Sequence, residues 1–303
     1  GPGATATSAA CAGGACSAPG VATEVLSGVP STAPLLVRAA LTSRGRRGDA
    51  VPDRTLVVED VRIDRAKLAA YQRLTGYAVD DTVPQPYPWV LAFPVQTALM
   101  ARPDFPMPLP GMVHLENRVT THRAMDAGEP LTLSVSAGQI RPHRRGRTLD
   151  VRLEARVGGE LVWECDSVYL SRGRGTQDAP RGDGPPPPPG GQPVAQWRLP
   201  EDLGRSYASV SGDVNPIHLH PLTAKAMGFP RHIAHGMWTC ARTLAALGRT
   251  SLGPSTSHVW FTKPVFLPST VELVVDREPA RTVAALRSAK SPETTHLVLT
   301  LEA

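Results

Sequence analysis

The sequence predicts an α+β protein made of two related units, each a set of strands packed on an apolar helix. Three observations carry this reading. An aromatic–hydroxyl–glycine pattern repeats in the two halves, a proline run divides them, and strand-period alternation recurs around strongly apolar helical stretches. At 303 residues the chain is long enough for two domains with cores of their own. A hydrophobic content of 41% argues against wholesale disorder. No apolar run approaches the ~20 residues that a membrane-spanning helix needs.

Residues 1–50 read as an N-terminal extension, expected to be partly disordered. Residues 1–20 are rich in Ala, Gly, Ser and Thr and lack the basic and continuous apolar regions of a secretory signal. Val21 to Leu41 has the composition of a short helix, interrupted at Pro30 and Pro34, with no readable role. Residues 51–170 form the first unit. They open with a strand over Thr55–Ile63 and a helix over Arg65–Leu74. Further strands follow at Val113–Val119, Leu131–Ala137, Leu149–Val157 and Leu161–Leu170. Residues 171–193 are a linker, stiffened toward polyproline II at Pro185–Pro189. Residues 194–303 form the second unit, opening with a strand over Ala195–Leu199 and a helix over Glu201–Val210. The stretch Met237, Trp238, Cys240, Ala241, Leu244, Ala245 and Leu247 is apolar on most faces apart from Arg242, which predicts a largely buried helix. Val259, Phe261, Val265 and Phe266, then Val271–Val275, then Leu297–Leu301, read as strands packing on it.

The repeat pairs Tyr71-Gln72-Arg73-Leu74-Thr75-Gly76 with Tyr207-Ala208-Ser209-Val210-Ser211-Gly212, and Gln96-Thr97-Ala98-Leu99 with Arg242-Thr243-Leu244-Ala245. Two such units suggest a duplication in which one chain mimics a homodimer. Setting Gly76 on Gly212 puts Tyr77 at the position of Asp213, Thr82 at that of His218, and Trp89-Val90 near His235-Gly236. The first copy thus lacks the ionisable pair, and one active site per chain is expected, in the second copy.

Asp213 and His218 stand five residues apart around the Asn215-Pro216 turn. A carboxylate and an imidazole at this spacing suit acid/base work beside a carbonyl, since imidazole titrates near neutral pH. Gly236 opens the apolar helix, so its N–H has no internal partner and can approach an anionic oxygen closely. Tyr207 and Ser211 are read as supports of the loop. Plainer readings exist for each: a loop-stabilising Asp–His pair, an N-terminal capping contact for His235, and close helix packing at Gly236. His218, His220, His232 and His235 also have the spacing of a metal cluster, but no cysteine pair or carboxylate completes an obvious set. No metal is expected, and His220 and His232 are read as surface residues.

The segment from Tyr207 to Cys240 resembles the signature of the MaoC-like family of (R)-specific enoyl-thioester hydratases and 3-hydroxyacyl-thioester dehydratases. The matching positions are Tyr207, Ser211-Gly212-Asp213, Asn215-Pro216-Ile217-His218, Ala224, Gly228-Phe229 and Ile233-Ala234-His235-Gly236-Met237. From Arg54 to Ala303 the chain is similar to the two-copy, mycobacterial-type members. The resemblance implies a double hotdog, in which two curved antiparallel sheets each wrap a central helix. It implies reversible loss of water from a 3-hydroxyacyl thioester by a hydro-lyase, with Asp213, His218 and Gly236 in the reaction and Tyr207, Ser211, Asn215, Pro216 and His235 in support. It also implies a first copy that binds the acyl chain, and no cofactor beyond the substrate's own carrier, coenzyme A or the phosphopantetheine of acyl carrier protein. Fatty-acid elongation is the expected setting. Hydration for β-oxidation or polyester precursor supply, a non-catalytic acyl-binding subunit and a thioesterase remain alternatives.

The net charge of +5 suits an anionic ligand or an acidic carrier protein and is too weak to indicate nucleic acid. Arg141, Arg144 and Arg145, with His143 and Arg147, form a basic run between two strands. It is either a solvated turn or, with Arg231 and Lys263, a contact for carrier phosphates. The four cysteines, Cys11, Cys16, Cys165 and Cys240, do not form a disulfide framework, so a reducing cytoplasm is expected. The assembly expected is a monomer acting as a pseudo-dimer, or a homodimer.

Overall fold

A computed structural model describes residues 22–42, 46, 48–109, 111–180 and 182–303. The readings made for residues 1–20, including Cys11 and Cys16, lie outside the described residues. The described chain begins with β1 (Ala22–Leu26) and α1 (Thr32–Thr42). The expectation of one interrupted helix over Val21–Leu41 is corrected here. Ala22–Leu26 pairs in parallel with Arg54–Val58, and the helix starts only after Pro30, with Pro34 in its first turn. Proline is tolerated there because first-turn N–H groups have no helical acceptor.

The first half continues with β2 (Arg54–Val61), α2 (Arg65–Thr75), α3 (Tyr87–Met100), β3 (Val113–Thr121), β4 (Leu131–His143), β5 (Gly146–Val157) and β6 (Glu160–Arg172). The second half comprises β7 (Ala195–Leu199), α4 (Leu203–Ser211), α5 (Pro216–Leu219), α6 (Pro221–Ala226), α7 (Gly236–Leu247), β8 (Ser255–Phe261), β9 (Ser269–Arg277), β10 (Arg281–Ser288) and β11 (Thr295–Glu302). Val265 and Phe266 fall outside the strands; Phe266 makes only an isolated bridge with Ile233.

The repeat is visible in backbone geometry. Gly76 (φ 88°) ends α2 and Gly212 (φ 71°) ends α4, both in the left-handed region that only glycine enters freely. The sheet order is β1-β2-β4-β5-β6-β3-β8-β11-β10-β9-β7. Without β1, each half follows the same order, and the halves join where β3 pairs antiparallel with β8, Asn117 opposite Val259. Each half wraps one apolar helix, α3 or α7. Trp89, Ala92, Val95 and Leu99 of α3, and Met237, Ala241, Leu244 and Leu247 of α7, join one buried cluster with Leu133, Leu153, Leu273 and Leu299 from the sheet. Each such large side chain contributes roughly 1.5–3 kcal/mol on burial.

Polar bonds tie α7 to the other half. Trp238 Nε1 donates to Leu74 O (3.2 Å) and Arg242 to Thr75 O (3.4 Å), with the guanidinium 4.5 Å from the Trp197 ring centre. The linker is pinned at Asp183 O by Trp260 Nε1 (3.3 Å) and at Gly191 O by Arg287 (3.2 Å).

Candidate active site

The loop after Gly212 folds on local hydrogen bonds. Asp213 N donates to Ser211 Oγ (3.2 Å), Asn215 N to Asp213 Oδ1 (3.1 Å), and Ile217 N to Asn215 Oδ1 (3.4 Å). Asn215 thereby caps α5, and Pro216 occupies its first turn. This short helix carries His218 inward. Gly204 of α4 permits the position: a Cβ there would lie 1.9 Å from His218 O.

The His218 ring is fixed by Nδ1, which donates to Ile233 O (2.8 Å). A carbonyl only accepts, so Nδ1 carries the proton and Nε2 keeps a free lone pair. His235 stacks on it with ring centres 3.7 Å apart. The capping role considered for His235 is corrected: its side chain caps nothing on α7. Its Nε2 donates back to Asp213 O (3.0 Å) and lies 3.8 Å from Asp213 Oδ2. Tyr207, fully buried, packs on His235 with ring centres 4.9 Å apart. Gly236 opens α7, and among the described residues its N–H has no acceptor. A Cβ at Gly236 would lie 3.0 Å from the Phe261 ring.

Burial dominates the electrostatics. It raises the Asp213 carboxyl above its ordinary pKa, an effect reduced by the nearby His218 and by the Asn215 N–H. It lowers His218, partly offset by Asp213 and the Ile233 carbonyl. It lowers His235 well below the usual imidazole value, and His218 adds to the effect. Both imidazoles are therefore neutral at pH 7.

Asp213, His218 and His235 present one donor atom each within 4.8 Å of one another. This corrects the expectation that no carboxylate completes a histidine set, since a carboxylate with two imidazoles can ligate zinc. Two of the four histidines drop out. His220 is exposed and its Nδ1 accepts from Leu222 N (3.2 Å). His232 is buried rather than on the surface, its Nε2 donating to Glu201 O (2.8 Å).

Asp213, His218, His235 and Gly236 border a cavity of about 540 Å³ that continues into the first half. Its apolar walls include Phe93 and Met100 of α3, Met112, Phe261, and Leu36 and Val37 of α1. The size is typical of small-molecule sites. Ala33, Leu36, Val37 and Ala40 recur at helical spacing, so one face of α1 lines the cavity. Sequence reasoning missed this face, because a pattern of small and apolar residues does not say what it covers. It also missed Gly204, although a glycine inside a helix is itself a signal of close approach.

Tyr77 and Thr82 do not border the cavity, whereas Trp89 does. The basic candidates separate. Arg145 and Lys263 border the cavity, joined by Arg172, which was not anticipated. Arg141 is paired bidentately with Asp150, Arg144 donates to Gln177 O (3.3 Å), and Arg231 sits 6.0 Å from the Phe266 ring centre. None of these three borders the cavity.

A half-buried carboxylate and a buried imidazole open to an apolar cavity between two helix-wrapping half-sheets define a double-hotdog protein of the hydro-lyase kind. Residues 187–296 match the family described as MaoC like domain. The chain is 38% identical over 233 residues to 3-hydroxyacyl-thioester dehydratase X of Mycobacterium tuberculosis, covering 76% of this chain and 82% of that protein. A crystal structure of HtdX from M. tuberculosis superposes with a TM-score of 0.73 at 35% identity, over 82% of this chain and 99% of that one. A MaoC-like dehydratase from Phytophthora capsici shares the fold with a TM-score of 0.68 at 18% identity, over 82% of this chain and 94% of that one. The chain belongs to the MaoC-like dehydratase family.

Proposed function

We propose that the chain is an (R)-specific 3-hydroxyacyl-thioester dehydratase, reversible as an enoyl-thioester hydratase, acting in fatty-acid elongation on acyl groups carried by coenzyme A or acyl carrier protein. The observation that carries this is the pairing of an unprotonated His218 Nε2 with a carboxyl of raised pKa at the wall of an apolar cavity. His218 Nε2 takes a proton from C2. The C–H electron pair becomes the C2–C3 double bond as the C3–O bond breaks, and Asp213 protonates the departing hydroxyl to give water. Proton return from His218 to Asp213 resets the pair. Charge developing on the thioester oxygen is met by the Gly236 N–H at the start of α7, and one such donor is worth about 3 kcal/mol in a transition state. Both groups act from the same side of the substrate, which gives syn elimination; the (R)-configuration of the hydroxyl is what the family resemblance implies. Exposed Arg145, Arg172 and Lys263 suit the carrier's phosphates.

The two halves already form one sheet, which supports a monomer acting as a pseudo-dimer. Cys165 and Cys240 are buried and free, which fits a reducing cytoplasm. Among the described residues no helix is long and apolar enough to cross a membrane. The test is incubation with crotonyl-CoA while following the conjugated enoyl absorbance. Loss of absorbance without thiol release is expected. Release of free thiol indicates a thioesterase, and no turnover with short or long chains indicates a binding role.

A further inference from the structure

The helix that precedes the first unit, α1, is fixed at both ends. Its first residue, Thr32, lies against the catalytic loop: a Cβ on Gly212 would sit 3.8 Å from Thr32 Oγ1. Its last turn is tied to the end of α3 by Arg46. This side chain donates to Thr42 O (3.2 Å) and Thr42 Oγ1 (2.8 Å), and across to Met100 O (3.2 Å) and Ala101 O (3.4 Å). One cation thus meets the carbonyl ends of two helices, where the helix dipole favours it. The strand before α1 is held too, since Glu24 of β1 accepts from Arg102, just beyond α3, at 3.1 Å. A helix from Thr32 to Thr42 is about 16 Å long, so α1 reaches from the loop that carries Asp213 to Met100 in the first half. Ala39 of α1 is fully buried, whereas Ala33, Leu36, Val37 and Ala40 border the cavity, and none of these four has a polar side chain. Val37 is 62% exposed, so this face can be reached by a molecule in the cavity. Covering it with hydrocarbon would remove apolar surface from water.

We propose that α1 is a specificity element of the acyl site, its Ala33, Leu36, Val37 and Ala40 face being the wall on which the distal part of a long acyl chain packs. This rests on the acyl-thioester reading above and narrows it to chains much longer than crotonyl. A chain that starts at Asp213 and His218 and follows α1 meets Met100 at the far end, which continues the apolar wall. A crotonyl group ends close to the reacting pair and leaves most of the α1 face uncovered. The pantetheine arm of the carrier is a poorer occupant. Its amides need hydrogen-bond partners, and the four side chains of this face supply none. The carrier's phosphates have the exposed cations Arg145, Arg172 and Lys263 elsewhere on the cavity border.

The experiment is calorimetric titration of the whole chain with butyryl-, octanoyl- and dodecanoyl-CoA. Saturated chains are not turned over, so binding is read without chemistry. Each added methylene should tighten binding about twofold, half the free energy of full burial because α1 stays partly open to water. Dodecanoyl-CoA should then bind on the order of a hundredfold tighter than butyryl-CoA. Val37→Asp sets a carboxylate on an already exposed position of the wall, and that ratio should fall roughly tenfold. Val37→Leu keeps the wall apolar and should keep the ratio; thermal midpoints near native verify both folds. A ratio unchanged in Val37→Asp places the chain on another wall and overturns the proposal. An equal weakening at every chain length assigns the face to the pantetheine arm and also overturns it. No gain with length, in a protein that hydrates crotonyl-CoA, overturns the α1 wall alone. Binding of none of the three overturns the acyl-thioester reading with it.

Discussion

Replacing Gly204 by alanine tests how His218 is positioned without touching any group that reacts. The new Cβ would lie 1.9 Å from the His218 carbonyl oxygen, against a floor of 3.0 Å for real contacts. The obstacle is backbone on both sides, so α4 and α5 must separate by ~1.1 Å or more. Gly204 lies inside α4, where helix propensity alone makes alanine better by about 1 kcal/mol. Packing and propensity therefore pull in opposite directions, and the distance decides for packing. A misplacement of about 1 Å in a reacting group costs on the order of 100-fold in rate. The assay is steady-state hydration of crotonyl-CoA alongside thermal unfolding. The expectation is a kcat loss approaching that figure with the chain still folded. A Gly204→Ala protein with native kcat and a raised midpoint would refute the idea that the α4–α5 contact holds the imidazole in place.

Asp213→Asn and His218→Ala should each lower kcat by about 100-fold or more while near-UV circular dichroism stays native. Tyr77→Phe and Thr82→Val, at the matching positions of the first half and away from the cavity, should leave kcat within a few-fold of native in the same assay. Because the folded pKa values of His218 and His235 are lowered, the unfolded chain binds more protons in acid. Their contribution to stability is present above the unfolded imidazole pKa, near 6.5, and is lost as pH falls below it, so the urea midpoint should drop between about pH 7 and pH 5. Asp213, with its raised pKa, acts in the opposite sense: its contribution is lost as pH rises through its folded pKa. Prolonged chelation should leave hydration unchanged, since the proposed steps use only proton transfers and the Gly236 N–H; loss restored by zinc would assign the Asp213, His218 and His235 donors to a metal.

The parts of this molecule legible in the sequence were those written in local chemistry. Gly76 and Gly212 were matched by the aromatic–hydroxyl–glycine pattern, and both end a helix in the left-handed region that glycine enters most freely. Asp213, Asn215, Pro216 and His218 announced their loop because the hydrogen bonds that fold it span two residues each. What stayed hidden depends on partners distant in sequence. β1 pairs with residues some thirty positions on, and nothing in Ala22–Leu26 names its partner. His235 reaches Asp213 O rather than its own helix. Arg141 looked available for a phosphate until Asp150, diagonal to it on the neighbouring strand two residues beyond its partner Thr148, proved to pair with it. Gln96 and Tyr169 meet across 73 residues, through a sheet whose curvature no short motif encodes.

The most direct test of a proton-transfer unit built from Asp213 and His218 is a double-mutant cycle in single-turnover hydration, comparing Asp213→Asn, His218→Ala and the two combined. Groups that work as one unit give non-additive losses, so the combined variant should be scarcely slower than either alone. Losses that multiply, or near-native turnover in any of the three, would contradict it.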